Sequence, residues 1–379
     1  MKSNKIYLKR SIPLFFLSIL SFFGFAQNSS PANLKLMQDM DKYIQQELYS
    51  EVSQVLFDVE ETPSIESYIA FSKGVKSSFD QIVSRNFAGL EETEKAKAKF
   101  YSQAMMIQLG ELYLERAQEL SPREKINFLD SYISGIGLDK EIKGLSDDLA
   151  RSLMMSLHSA MGIPFGVPNY QIEDYIESLP EPKQELYRAA MILNETVMLS
   201  GGYEVAERQV KEFQQLYPSS GFLPQLQIAL ASLEKLREGA VVENFAFEDM
   251  EGNKVSLADY KDKIIYLDLW ASWCGPCINT FKTKTPAFAE KLRNQQDVVL
   301  MYISIDEKPD SWKNYLSKNP MGGVHLFAGK GFEAEIVRYF KVWGIPRYLI
   351  LGKDNKIIDV NAPRPGDEAY EALIQIGGI

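Results

Sequence analysis

The chain has 379 residues, 45% of them hydrophobic and 24% charged, which excludes collagen-like, mucin-like and wholly disordered classes and suits two folded units. The net charge is -10, and the first 26 residues carry Lys2, Lys5, Lys9 and Arg10 with no acid, so the remainder stands at -14. Such an acidic chain, with no Lys/Arg-rich run and no Gly-rich phosphate loop, offers no electrostatic footprint for nucleic acid. Two cysteines and two histidines, His158 and His325, rule out a multi-disulfide scaffold, a four-cysteine zinc site and a His-rich metal centre.

Residues 1–26 read as a secretory signal. Four cations precede an apolar stretch from Ile12 to Phe25, and the small-residue site Gly24-Phe25-Ala26 would leave Gln27 as the first mature residue. The alternative is an uncleaved N-terminal membrane anchor, but the stretch is shorter than the roughly 20 residues a spanning helix needs. The mature chain is therefore expected in the periplasm or secreted, where disulfides form.

From about Leu34 to Glu238 the pattern is helical, and 27–240 is expected to be an all-α domain. Leu34, Leu36, Met37 and Met40 begin an apolar series with three- and four-residue spacing, continued by Tyr43, Ile44, Leu48 and Val52, and Met106, Leu109, Tyr113, Ala117 and Leu120 repeat likewise inside 91–120. Ser121, Pro122 and Glu124 form a capping box that starts the next helix. Further helices are expected near 147–160, 183–199, 203–216 and 223–237. A bundle and a degenerate helical-hairpin repeat remain alternatives, because no steady 34-residue period emerges. This region carries 32 acids and 20 bases, against 19 and 17 in 241–379. The acidity thus belongs to the helical part, either as a solvated surface or as a docking face for a client.

After Gly239 the texture changes. Phe245–Phe247 and Val255–Leu257 flank a Gly/Asn turn and predict a hairpin. Ile264–Trp270 and Val298–Ile305 are short apolar runs that suit strands buried on both faces of a mixed sheet. A helix is expected over 310–318, an extended piece over 324–327 and a helix over 333–340. A hairpin pairing 348–351 with 356–360 follows, then a closing helix over 369–376. The order is that of an α/β domain spanning 241–379.

At the junction of the first long strand and its helix stands Trp270-Ala-Ser-Trp-Cys-Gly-Pro-Cys277. Cys274 falls at a helix N-terminus, where unpaired N–H groups and the macrodipole favour an anion. Thiols in Cys-X-X-Cys motifs have their pKa lowered from about 8.5 to about 7 or below, and the thiolate is the attacking form. Cys277, one turn later, shares that face and resolves the mixed disulfide formed on Cys274. A zinc site fails for lack of ligands, and a purely structural bridge across two residues would constrain the unfolded chain little.

This run resembles the thioredoxin superfamily, specifically its secreted TlpA/ResA-like branch, over about 241–379. The resemblance implies a thioredoxin-like α/β fold, a mixed central sheet flanked by helices, and thiol–disulfide exchange without a cofactor or metal. Asp268, six residues before Cys274, matches the family's buried acid, with a raised pKa and the role of accepting the Cys277 proton. Gly344-Ile345-Pro346 matches its cis-proline loop, with the Ile345 backbone free to pair with substrate. Trp273 matches the exposed aromatic beside the nucleophile, and Trp270 belongs in the core.

Three features depart from the pattern. Lys282 stands where a proline is usual, about five residues after the second cysteine, with Pro286 nine after; Tyr302 replaces the lysine that faces the buried acid; and Arg347 follows the cis-proline position. Arg347 is expected to favour acidic partners or to aid the Cys274 thiolate. A peroxiredoxin reading fails at Ala271, where threonine is required. The Gly-Pro pair resembles that of reducing thioredoxins, so the expected activity is reduction of protein disulfides, sustained by a membrane thiol-reductant carrier. The alternatives are a disulfide oxidase or isomerase and, from another class, a helical scaffold carrying a thioredoxin-fold module.

Overall fold

The computed structural model describes residues 30–162, 170–198 and 202–377. The expected signal at 1–26 lies outside them. Among the described residues no helix is long and apolar enough to cross a membrane. Two compact units emerge: one runs to Asn194 and includes Ser219–Gln225, and the other comprises Glu195–Pro218 and Leu226–Ile379.

The first unit is helical. Its principal helices are α1 (Pro31–Tyr43), α2 (Ile65–Asn86), α3 (Glu92–Arg116), α4 (Pro122–Gly135), α5 (Asp147–Met161), α6 (Tyr170–Ser178) and the first part of α7 (Glu181–Met198). Helix α4 starts with the expected capping box, Ser121 and Glu124 satisfying each other's backbone N–H groups. Helix α2 escaped the sequence pattern. Its buried stripe of Tyr68, Ser72, Val75, Phe79 and Ile82 has helical spacing, but a serine at its centre dilutes the apolar signal. An aromatic core binds α2, α3 and α4. Tyr113 stacks on Phe128 at 4.2 Å, and the buried Tyr68 and Tyr132 hydroxyls donate to the carbonyls of Leu109 and Met106. Gly110 permits this packing, since a Cβ there would meet the Tyr132 ring at 3.0 Å.

The second unit is built on a seven-stranded mixed sheet in the order β2-β1-β5-β4-β3-β6-β7. Its strands are β1 (Ala246–Glu248), β2 (Lys254–Ser256), β3 (Ile264–Trp270), β4 (Val298–Ser304), β5 (Val324–Phe327), β6 (Arg347–Leu351) and β7 (Ile357–Asp359). Asp249 closes the β1–β2 turn by accepting from the backbone N–H groups of Glu251 and Asn253, and Gly252 supplies its positive φ of 87°. All seven residues of β3 are buried, as its unbroken apolar run predicts, because it lies between parallel β4 and antiparallel β6.

Helices α8 (Gly202–Leu216), α10 (Gly275–Thr283), α11 (Thr285–Leu292), α12 (Pro309–Lys318), α13 (Glu335–Tyr339) and α14 (Asp367–Gly377) also belong to this unit, and α9 (Leu223–Ala231) precedes the first strand. Ile264, Tyr266, Phe288, Tyr348, Ile350 and Leu373 form one core cluster. Leu267, Leu269, Met301, Leu349 and Trp312 join the larger one, which also takes Ala206, Leu233 and Leu236. The boundary expected at 240 therefore falls inside this unit.

Candidate active site

Strand β3 carries the chain to the site. Beyond Trp270 the backbone turns through Ala271 and Ser272, and the Cys274 N–H donates to Ala271 O at 3.0 Å. Cys274 is the N-cap of α10, its Sγ accepting from the Cys277 N–H at 3.2 Å. A sulfur thus occupies the place of a capping oxygen. Pro276 sits in the first turn, where a missing N–H costs nothing. Cys274 and Cys277 are joined as a disulfide, with relative exposures of 3% and 0%.

Cys277, Thr280 and Phe281 are the buried residues of α10 and form one helix face. Phe281 meets the rings of Trp270 at 4.9 Å and Tyr302 at 5.6 Å, which lays that face on the β3–β4 part of the sheet. Trp270 is wholly buried, in the core as expected. The helix ends at Lys284, and α11 opens with Pro286 in its first turn. The departure at Lys282 and Pro286 thus yields two short helices, because a proline is accommodated at a helix start and not inside one.

Asp268 is fully buried and neither carboxylate oxygen has a hydrogen-bond partner. Burial pushes its pKa well above the usual carboxylate range, with the Arg364 charge acting in the opposite sense. On the adjacent strands it is level with Tyr302 and Tyr348, and Tyr302 is level with His325, so one polar row crosses β6, β3, β4 and β5. Burial and the neighbouring Asp268 both raise the Tyr302 and Tyr348 hydroxyls. Tyr302 stacks on His325 at 5.0 Å, and burial lowers the His325 pKa. The position given to lysine in the resembling family thus holds an aromatic pair.

The Ile345–Pro346 peptide bond is cis, and Ile345 O lies 3.7 Å from Cys274 Sγ. Trp273 is 57% exposed, its ring 6.2 Å from that of Phe332. The structure thus gathers Cys274, Cys277 and Ile345 at one point, with Trp273 next to Cys274 in the chain and Asp268 on the strand beneath α10.

Arg347 is bonded beside the β6–β7 hairpin. Its Nε donates to Val360 O at 2.9 Å, and burial lowers its pKa to about 10 against the opposing Asp359 charge. The guanidinium is thus bonded within the β6–β7 region. Sequence reasoning also passed over Ser272 and Asp306, which hydrogen-bond directly beside the cysteine loop. Among the described residues no His/Cys/Asp/Glu group is arranged to hold a metal ion.

The family profile described as thioredoxin-like matches residues 262–357. The thiol-disulfide oxidoreductase ResA of Bacillus thuringiensis subsp. konkukian is 27% identical over 144 residues, which cover 38% of this chain and 80% of that protein. The ResA of Bacillus subtilis is 24% identical over 132 residues, 34% of this chain and 70% of its own length. Among solved structures, a candidate thiol-disulfide oxidoreductase from Bacteroides vulgatus is 34% identical, covers 38% of this chain and 97% of its own, and has a TM-score of 0.33. Through its C-terminal region the chain belongs to the thioredoxin superfamily, among the ResA-like thiol-disulfide oxidoreductases.

Proposed function

We propose that this protein reduces protein disulfides outside the cytoplasm through the Cys274/Cys277 dithiol. The observation that carries the reading is a redox-capable cysteine pair capping a helix, above a buried carboxyl with no hydrogen-bond partner. The Cys274 thiolate attacks one sulfur of the client disulfide, forming a mixed disulfide and releasing the other client sulfur as a thiolate. Cys277 then loses its proton to Asp268 and attacks Cys274 Sγ. The second client sulfur leaves, and the electron pair has passed from the dithiol to the client. The product is the Cys274–Cys277 disulfide. Ile345 O, beside Cys274, supplies a backbone acceptor to an extended client segment, with Pro346 and the exposed Trp273 completing the contact surface.

A membrane thiol carrier restores the dithiol, since no third cysteine exists to relay electrons within the chain. Residues 1–26 act as the export signal, on the strength of their charge and apolar pattern. The acidic helical region serves to dock clients.

The direction of transfer is tested by the potential of the Cys274/Cys277 couple. A value near about -270 mV is expected for a reductase, and one near about -120 mV supports the oxidase or isomerase alternative instead. Cys274→Ser should abolish reduction of insulin disulfides, whereas Cys277→Ser should accumulate a mixed disulfide with the client. Persistent turnover by Cys274→Ser refutes its role as nucleophile.

A further inference from the structure

Strands β3 and β4 run parallel and in step, with Trp270 level with Ser304. The step continues past both strand ends, where Ile305 N donates to Trp270 O at 2.8 Å. Two residues beyond Trp270 is Ser272, and two beyond Ser304 is Asp306. Asp306 is 1% exposed, and its carboxylate accepts three hydrogen bonds. The Ser272 N–H donates to Oδ2 at 2.9 Å, the Ser272 hydroxyl to Oδ1 at 2.6 Å and the Ser304 hydroxyl to Oδ2 at 2.7 Å. Ser304 Oγ in turn accepts from the Asp306 N–H at 3.1 Å, which fixes the carboxylate from below.

The site therefore contains two buried carboxyl groups with opposite surroundings. Asp268 has no hydrogen-bond donor and suits proton exchange. Asp306 has both oxygens filled by O–H and N–H donors, which gives its carboxyl group a fixed geometry. Two of its three donors belong to Ser272, two residues before Cys274. The chain between them is pinned again by the Cys274 N–H to Ala271 O bond.

We propose that Asp306 is a positioning residue for disulfide exchange, acting through Ser272 to hold the Ser272–Cys274 loop so that Cys274 Sγ stays at the α10 N-terminus and beside Ile345 O. Neither residue touches the client. Their effect is to pre-orient the attacking sulfur, a contribution that is lost when the supporting hydrogen bonds loosen even though the nucleophile remains. The inference rests on the function proposed above, with Cys274 as the nucleophile.

Ser272→Ala in the full-length chain is the mildest test. It removes one donor to Asp306 and keeps the backbone bond. Asp306→Asn is the second variant, since an amide nitrogen cannot accept from Ser272 or Ser304. Three readouts are taken on reduced protein: the rate of Cys274 alkylation by iodoacetamide at pH 7, kcat and KM for insulin reduction, and the thermal midpoint.

Positioning predicts that Ser272→Ala slows alkylation about threefold and lowers kcat about tenfold with KM little changed, and that combining it with Asp306→Asn is far from additive. A fall in thermal midpoint with alkylation rate and kcat intact would mean a merely structural clamp and overturns the inference. Faster alkylation in both variants overturns it too, since the bonds to Asp306 would then hold Cys274 back. A wild-type chain that does not reduce insulin while iodoacetamide still labels Cys274 counts against the proposed function, whereas active wild type with unaltered variants counts against the clamp alone.

Discussion

The two acids of the site show how far residue identity carries. Asp268 was readable from the sequence because a lone carboxylate inside Ile264-Ile-Tyr-Leu-Asp-Leu-Trp270 has nowhere polar to go. Its lack of any hydrogen-bond partner was not readable, since that depends on what the neighbouring strands bring level with it. The consequence for stability follows by linkage. An unfolded aspartate ionises near about pH 3.9, whereas the buried Asp268 holds its proton to higher pH, so the native state binds more protons. Stability from this group is complete below about pH 4 and declines as pH rises towards the folded pKa. Asp268→Asn should therefore unfold at a higher temperature than wild type at pH 8, with the gap closing at pH 4. It should also lengthen the life of the mixed disulfide by about tenfold, through loss of the proton acceptor. Parallel melting curves across that pH range would show the carboxyl to be inert.

At the scale of elements, α10 is the piece that joins sequence signal to site. Its start is written in Cys-Gly-Pro-Cys, a sulfur N-cap followed by a proline in the first turn. Its seat on the sheet is not. That depends on Phe281, 4% exposed and wedged between the Trp270 and Tyr302 rings. Phe281→Ala should cost about 3 to 5 kcal/mol in denaturant unfolding, in the range for emptying a buried aromatic site. A loss below about 1 kcal/mol would mean that α10 is held by other contacts. Most strands and helices of the C-terminal region were legible because their apolar runs are uninterrupted. Helix α2 was missed because its stripe contains Ser72, and α6 because its apolar positions fill barely two turns. What Arg347 bonds to was not legible either: β6 pairs with β7, and that pairing places its guanidinium beside Val360 O and Asp359.

For the whole molecule, the change of texture at Gly239 marks where strands begin, yet the thioredoxin-like unit gathers helical residues from before it. Ala206, Leu233 and Leu236 are at most 3% exposed and lie in its larger core cluster. A fragment spanning 195–379 should therefore melt well above one spanning 241–379. Burying a leucine side chain contributes about 1.5 to 3 kcal/mol, and the shorter fragment leaves two leucine sites unfilled. Equal midpoints would support the boundary at 240. Comparing the 195–379 fragment with the full chain on small and protein disulfides tests client docking, and matching rates on both classes would remove its support.

The sequence by itself determined the chemistry, because two cysteines one helical turn apart at a strand end leave little else for sulfur to do. It also determined the α/β character of the C-terminal region, because strand and helix periods are local. Only the tertiary structure decided which acid stands without a donor, which one grips the cysteine loop and where the unit begins. Each of these depends on residues brought together by strand register and packing, which no stretch of chain contains on its own.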